Sequence, residues 1–188
     1  MSAVRRLLSI ILIVHLCGGV SFAIGDELEA RRIKTSLAIF PRIVAVDEDI
    51  DSKLDADKRV QLAVAYSNDS LTAQNQASVL TLSVQNIGGR PLAVRALSVS
   101  SLFKEDTGAV SGLFIAEKLE DGELERVLSF ARERHIIVFS PFSGDVERGV
   151  TAGIAVGSQV KPYFNLSALA RSGVVVNPTL LRISKHYE

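Results

Sequence analysis

The chain has 188 residues, 47% hydrophobic and 22% charged, with 21 basic residues against 21 acidic ones. A domain of this size and apolar content buries a sizeable core, which excludes long disorder. The neutral balance gives no support for nucleic acid or an anionic membrane surface as partner.

Met1 to Arg6 is short and basic, Leu7 to Val20 is almost wholly apolar, and Ser21-Phe22-Ala23 sets small residues two apart. That is the layout of a secretory signal peptide cleaved after Ala23, leaving a single domain over residues 24–188. The apolar run is shorter than the ~20 residues of a comfortable membrane span. Cys17, the chain's one cysteine, lies inside it, and Leu16 before it is not the small residue of a lipoprotein signal. The mature chain then carries no cysteine, which excludes disulfides, thiol catalysis and cysteine-based metal sites. Loss of Arg5 and Arg6 leaves 19 basic residues against 21 acidic ones, a net charge near −2.

Asp26 to Glu29 has the form of a capping box, and Ile33, Leu37, Phe40 and Val44 recur at helical spacing. The pattern predicts an amphipathic helix from Glu27 to about Phe40, ended or kinked by Pro41, with Arg31, Arg32 and Lys34 on a solvated face. Asp47, Asp49 and Asp51 alternate as in a calcium loop. However, Ser52 stands where that loop needs glycine and Lys58 where it needs a closing glutamate, so an acidic surface loop is expected.

Val60 to Tyr66 is predicted as a strand. Asn68-Asp69-Ser70 caps a helix from Leu71 to about Val84, and Gly88-Gly89-Arg90-Pro91 turns into a second strand, Leu92 to Val99. The glycine pair follows a helix and opens a strand, the reverse of a phosphate cradle. Ser111 to Ala116 is a third strand, Asp121 to Arg134 a helix with Leu124, Val127, Leu128 and Ala131 on one side, and His135 to Phe139 a fourth strand.

Ser140-Pro141 breaks this strand into a polar loop with Asp145, Glu147 and Arg148. Thr151 to Phe164 is predicted as a hairpin turning at Gly157-Ser158, Asn165 to Gly173 as a helix with a cap and a stop, and Asn177-Pro178 as the start of a last helix running towards the end. Alternation of strands with ten-to-fifteen-residue helices predicts a small three-layer α/β domain. Its mostly parallel sheet is flanked by helices, Rossmann-like without a nucleotide motif, and ends in a β-hairpin and two short helices.

GGRPLAVRAL (88–97), SGLFIAE (111–117) and above all TAGIAVGSQVKPYFNLSALARSGVVVNPTLLRIS (151–184) resemble the YfiR/HmsC family of exported bacterial proteins over roughly residues 27–185. The resemblance implies a periplasmic regulator that binds the periplasmic sensor region of an inner-membrane signalling protein. The best-known members restrain a diguanylate cyclase and so lower cyclic-di-GMP and biofilm output; a histidine-kinase type of partner is the other expectation. Those inhibitors use cysteines for redox control, and a mature chain without cysteine cannot share that input.

For catalysis, His135 and His186 are not placed as bases and no serine sits in an elbow with an oxyanion loop. Neither a metal ligand set nor a cofactor is expected. For partner binding the candidate residues are Asp145, Glu147, Arg148 and Lys161, on a loop beyond the end of a sheet strand, where α/β folds place sites. The bland reading has Asp145 capping a turn, and Glu147 and Arg148 paired locally at under ~1 kcal/mol. Arg182 reaches the same side as a solvated helix-end residue, and Asn165 is assigned to capping. The remaining class is a periplasmic small-ligand sensor, with Tyr66, Tyr163 and Phe164 lining a shallow site. The expectation is a non-catalytic regulator that binds a protein and no nucleic acid, its homodimerisation left open.

Overall fold

The computed structural model describes residues 25–104 and 107–188. The expected signal peptide, its expected cleavage after Ala23, and Cys17 lie outside the described residues. Two units are distinguished, ending and starting at Lys34 and Thr35. In the first, residues 25–34 are helical, with Arg31 bonded to Glu27 at 2.7 Å. Helix is already formed at Gly25 and Asp26, so Asp26 lies inside it and is not its cap.

The second unit opens with α1, helical over 35–44. Pro41 does not end it: the Ala45 N–H donates to the Pro41 carbonyl at 3.0 Å. A proline inside a helix costs about 3 kcal/mol. Phe40, Ile43 and Val44 are all buried, at roughly 1.5–3 kcal/mol each, and their burial carries the helix past it.

The acidic stretch that follows is not all surface. Asp47 is buried, its Oδ2 is 2.5 Å from the equally buried Lys53 Nζ, and its Oδ1 accepts from the Asp49 N–H at 3.1 Å. Asp47 also bridges to Val176, flanked by Glu48 N–H to Val175 O at 2.9 Å and Asn177 N–H to Val46 O at 3.0 Å. Asp51 is exposed as expected and takes the Arg90 guanidinium with both oxygens at 2.6 Å.

The remaining elements are β1 (Val60–Tyr66), α2 (Ser70–Ser83), β2 (Asn86–Ile87), β3 (Arg90–Ser98), β4 (Gly112–Ile115), α3 (Asp121–Arg134), β5 (Ile137–Ser140), β6 (Ala152–Val156), β7 (Val160–Asn165), α4 (Leu166–Ser172), α5 (Pro178–Ile183) and β8 (Lys185–Tyr187). They build one eight-stranded sheet in the order β2-β3-β1-β4-β5-β6-β7-β8. Pairing is parallel from β3 through β6 and between β7 and β8, and antiparallel at β2–β3 and β6–β7. The α/β class and the mostly parallel sheet are those expected.

Strand order reverses between β1 and β4. Right-handed crossovers therefore put α2 and α3 on opposite faces. Phe40 of α1 packs on Phe114 and Phe139, at ring distances of 5.5 and 5.7 Å, and those two rings stack at 5.8 Å.

Helix ends follow their local chemistry. The side chains of Asp69, Asn165 and Asn177 accept from the backbone N–H groups of Thr72, Ala168 and Thr179 at 2.9, 2.7 and 2.9 Å. Gly88 and Gly89, at φ +57° and +79°, make the tight turn that adds β2 to β3.

Two boundaries differ from expectation. His135 is not in a strand: it ends α3 in the left-handed region at φ 53°, because the chain must reverse there to enter β5. The tail does not stay helical. Ser184 N–H closes α5 on Leu181 O at 3.1 Å, and the next three residues extend along β7.

Candidate functional site

The crossover from β5 to β6 is a run of turns over residues 141–149, held by one buried carboxylate. Asp145 Oδ2 accepts from Ser140 Oγ at 2.6 Å, and Oδ1 accepts from Arg148 Nη1 at 2.8 Å. Phe142 N–H donates back to Ser140 Oγ at 3.1 Å. The Asp145 side chain is 5% exposed, so it shapes the crossover from inside.

Arg148, 36% exposed, also bonds the Leu119 carbonyl at 3.1 Å and Asp121 Oδ1 at 2.6 Å, tying the crossover to the start of α3. The Asp121 carboxylate raises its pKa above the ordinary arginine value; burial opposes this and the Asp145 hydrogen bond adds to it. Glu147 is exposed and accepts the Tyr163 hydroxyl at 2.9 Å. Burial, then the bond to Glu147, pushes the Tyr163 phenol above its ordinary value. Lys185 Nζ sits 4.6 Å from the Tyr163 ring centroid.

Asp145, Glu147 and Arg148 therefore share one short segment. Lys161 is exposed on the adjoining hairpin, opposite Ala155 and on the same strand face as Tyr163, and joins none of these hydrogen bonds. Asn165 fastens the segment from below: its Nδ2 donates to Val146 O at 2.7 Å while its Oδ1 caps α4. Arg182 is exposed on α5 and bonds Thr179 Oγ1 at 3.3 Å.

Tyr66, Tyr163 and Phe164 do not line one site. Tyr66 is on β1, four strand spacings from β7 or about 19 Å, and the adjacent Tyr163 and Phe164 point to opposite faces. His135 Nδ1 donates to Ser172 O at 2.8 Å, and His186 Nε2 to Leu181 O at 2.8 Å. Among the described residues no group of three His, Cys, Asp or Glu side chains is spaced for a metal ion.

Glu117, which sequence reasoning passed over, stands at the reversal point of the sheet. Its Oε1 accepts the backbone N–H groups of Ser67, Asn68 and Asp69 at 2.7, 2.7 and 3.0 Å. Burial pushes this carboxyl up, but the three donors outweigh it and hold the pKa below the usual glutamate value. The available signal was a glutamate directly after an apolar strand, facing the start of the capped α2. Between α3 and α4 lies a cleft of ≈190 Å³ lined by Glu125, Leu128, Arg132, Arg148, Thr151 and Arg171.

The fold and these loops define the class: an α/β domain whose carboxyl-end loops are closed by its own carboxylates. The chain belongs to the YfiR/HmsC-like family, whose model matches residues 51–185, a family of periplasmic regulators of signalling. A search of the curated proteins returned no match.

Among solved structures, the chain is similar to the ABC domain in complex with L-Trp from Streptococcus pneumonia (10% identity, TM-score 0.46, 77% of this chain and 61% of that one). It is similar also to a conserved domain protein from Vibrio cholerae o1 biovar eltor (14% identity, TM-score 0.48, 73% of this chain and 57% of that one). The match thus spans about three fifths of each of those chains.

Proposed function

We propose that residues 24–188, released by cleavage after Ala23, act in the periplasm as a non-catalytic brake. In this reading they bind the sensor region of an inner-membrane signalling protein, of the diguanylate cyclase or histidine kinase type, and restrain it. Family membership supports the regulatory role. The observation that carries the surface is the 141–149 crossover. Asp145 fixes it from inside while Glu147, Arg148 and Lys161 stand outward on it and on the neighbouring hairpin. A charged loop pre-ordered in this way loses little entropy when it docks. His135 and His186 each donate one ring nitrogen to a backbone carbonyl.

The test is crosslinking and recovery of membrane partners from the native host, comparing the wild type with Glu147→Ala/Lys161→Ala. Those side chains are exposed, so circular dichroism should be unchanged and melting should fall by only a few degrees, the loss of the bond from Tyr163 to Glu147. Capture of a membrane protein with a cyclase or kinase domain, lost in the variant, is the expected result. Capture unchanged in the variant removes the surface and keeps the function; no membrane partner at all removes the function. A small-ligand sensor is the second reading. The arginine-lined cleft favours it, but ≈190 Å³ is below the usual ~300–1,000 Å³ of ligand sites.

A further inference from the structure

Three arginines from three separate elements line the cleft between α3 and α4: Arg132, Arg148 and Arg171. Its floor is apolar and closed. Val138 of β5, Leu128 of α3 and Ala168 of α4 are 0%, 6% and 4% exposed. Arg132 and Arg171 stand in the last turns of α3 and α4, where a cation suits the helix dipole. That accounts for a basic residue on each helix. It does not account for both of them bordering one hollow together with Arg148 of the crossover.

The three are not equally engaged. Arg132 Nη2 donates to Glu125 at 2.5 Å. Arg148 is shared by Asp121 and Asp145, so two carboxylates face one guanidinium. Among the described residues the Arg171 guanidinium has no ion pair and no hydrogen-bond partner. A guanidinium carries five N–H donors, so Arg132 keeps most of its donors and Arg171 all of them at the mouth of the cleft. Arg132 and Arg148 are already matched by carboxylates, and Arg171 is the cation left over. This balance suits a ligand with a single negative charge. A doubly charged group would meet Glu125, Asp121 and Asp145 with too few cations between them.

We propose that this cleft binds a short-chain monocarboxylate, its carboxylate held by Arg171 and Arg132 and its alkyl end laid on Leu128, Val138 and Ala168. A planar carboxylate matches the guanidinium fork with two parallel hydrogen bonds. The cavity of ≈190 Å³ has room for about six waters at ~30 Å³ each. That is enough for such an anion and too little for a drug-sized ligand. The inference rests on the small-ligand reading and gives it a ligand class; it does not depend on the brake.

The test is an amide NMR titration of the isotope-labelled protein as recovered from the cell, at constant ionic strength. The probes are acetate, butanoate, hexanoate and octanoate, with butanamide as the uncharged analogue and inorganic phosphate as the competing anion. Saturable shifts confined to α3, α4 and residues 149–151 are expected. Affinity should rise about two- to fourfold per methylene up to hexanoate and gain nothing at octanoate, and butanamide should leave the spectrum unchanged. Arg171→Gln alters an exposed side chain without a partner, so melting should be unchanged while butanoate binds about tenfold more weakly. No saturable shift at the cleft overturns the proposal, as does binding indifferent to Arg171→Gln. Phosphate binding as tightly as butanoate, and lost in the same variant, overturns the carboxylate class. A thermal-shift screen of small metabolites separates the two levels. Stabilisation by a compound that leaves the cleft amides unmoved, with no carboxylate bound there, overturns this inference and keeps the sensor; no stabilisation by any compound or carboxylate removes both.

Discussion

Two carboxylates close two loops at the carboxyl end of the sheet, and they do so by opposite means. Asp145 is buried and shares its oxygens between a hydroxyl and a guanidinium. Glu117 is partly exposed and takes three backbone N–H groups on one oxygen. A charge withdrawn from water needs a cation and full hydrogen bonding to be tolerated, and losing one partner leaves others buried and unsatisfied. A carboxylate at the rim keeps its water, so its donors mainly order the backbone. The first loop is a core feature that happens to carry surface charge; the second is a surface clasp.

That contrast can be broken at its buried end first. Asp145→Ala should cost about 2–3 kcal/mol, because Ser140 and part of Arg148 lose their acceptor inside the protein; the urea midpoint should fall with an unchanged slope. A loss under ~0.5 kcal/mol would mean water replaces the carboxylate, and the two loops would be alike.

Ser140→Ala should cost less, about 1–2 kcal/mol, since one hydroxyl both donates to Asp145 and accepts from Phe142. Glu117→Ala should cost about 1 kcal/mol or less because solvent takes over the freed donors. Its signature is faster amide exchange at Ser67, Asn68 and Asp69, with the β1 amides unaffected.

The pH dependence sharpens the comparison further. Glu117 has a folded pKa below its unfolded value near 4.5. Its stabilisation is therefore complete above that unfolded value and is lost as pH falls through the folded one. The stability gap between wild type and Glu117→Gln should be present at pH 7 and close in acid, read from urea midpoints between pH 7 and 2. The smallest effect is expected for Tyr163→Phe, about 0.5–1 kcal/mol for its bond to Glu147. The absorbance titration of wild type should contain one tyrosine with a raised pKa that the variant lacks.

Elements fixed by neighbouring residues were legible in the sequence. The caps at Asp69, Asn165 and Asn177, the stop at Gly173, the bounds of β1 and α3, and the hairpin around Gly157-Ser158 all follow from local chemistry. What depended on distant contacts was not. Pro41 is overridden by the burial of Phe40, Ile43 and Val44. Asp47 looks solvated until Lys53 and Val176 close over it. β8 has no apolar periodicity because it exists as an addition to β7, and His135 takes a left-handed turn that no residue pattern announced. At the site, the residue types of the 140–148 loop were visible. Their division into a buried Asp145 and an outward Glu147 was not, because alternation in a run of turns has no fixed period.

The bridge between residues 46–48 and 175–177 sets an order of events. A chain made from its amino end cannot cover Asp47 until residues 175–177 have followed. Residues 175–187, by supplying Val175, Val176 and then β8, complete the closure. Until then one buried ion pair and one sheet edge stand open, and the chain can still be handled as an unfinished polymer. A copy cut short before Val175 would lack the bridge that covers Asp47 and would stay in that unfinished state.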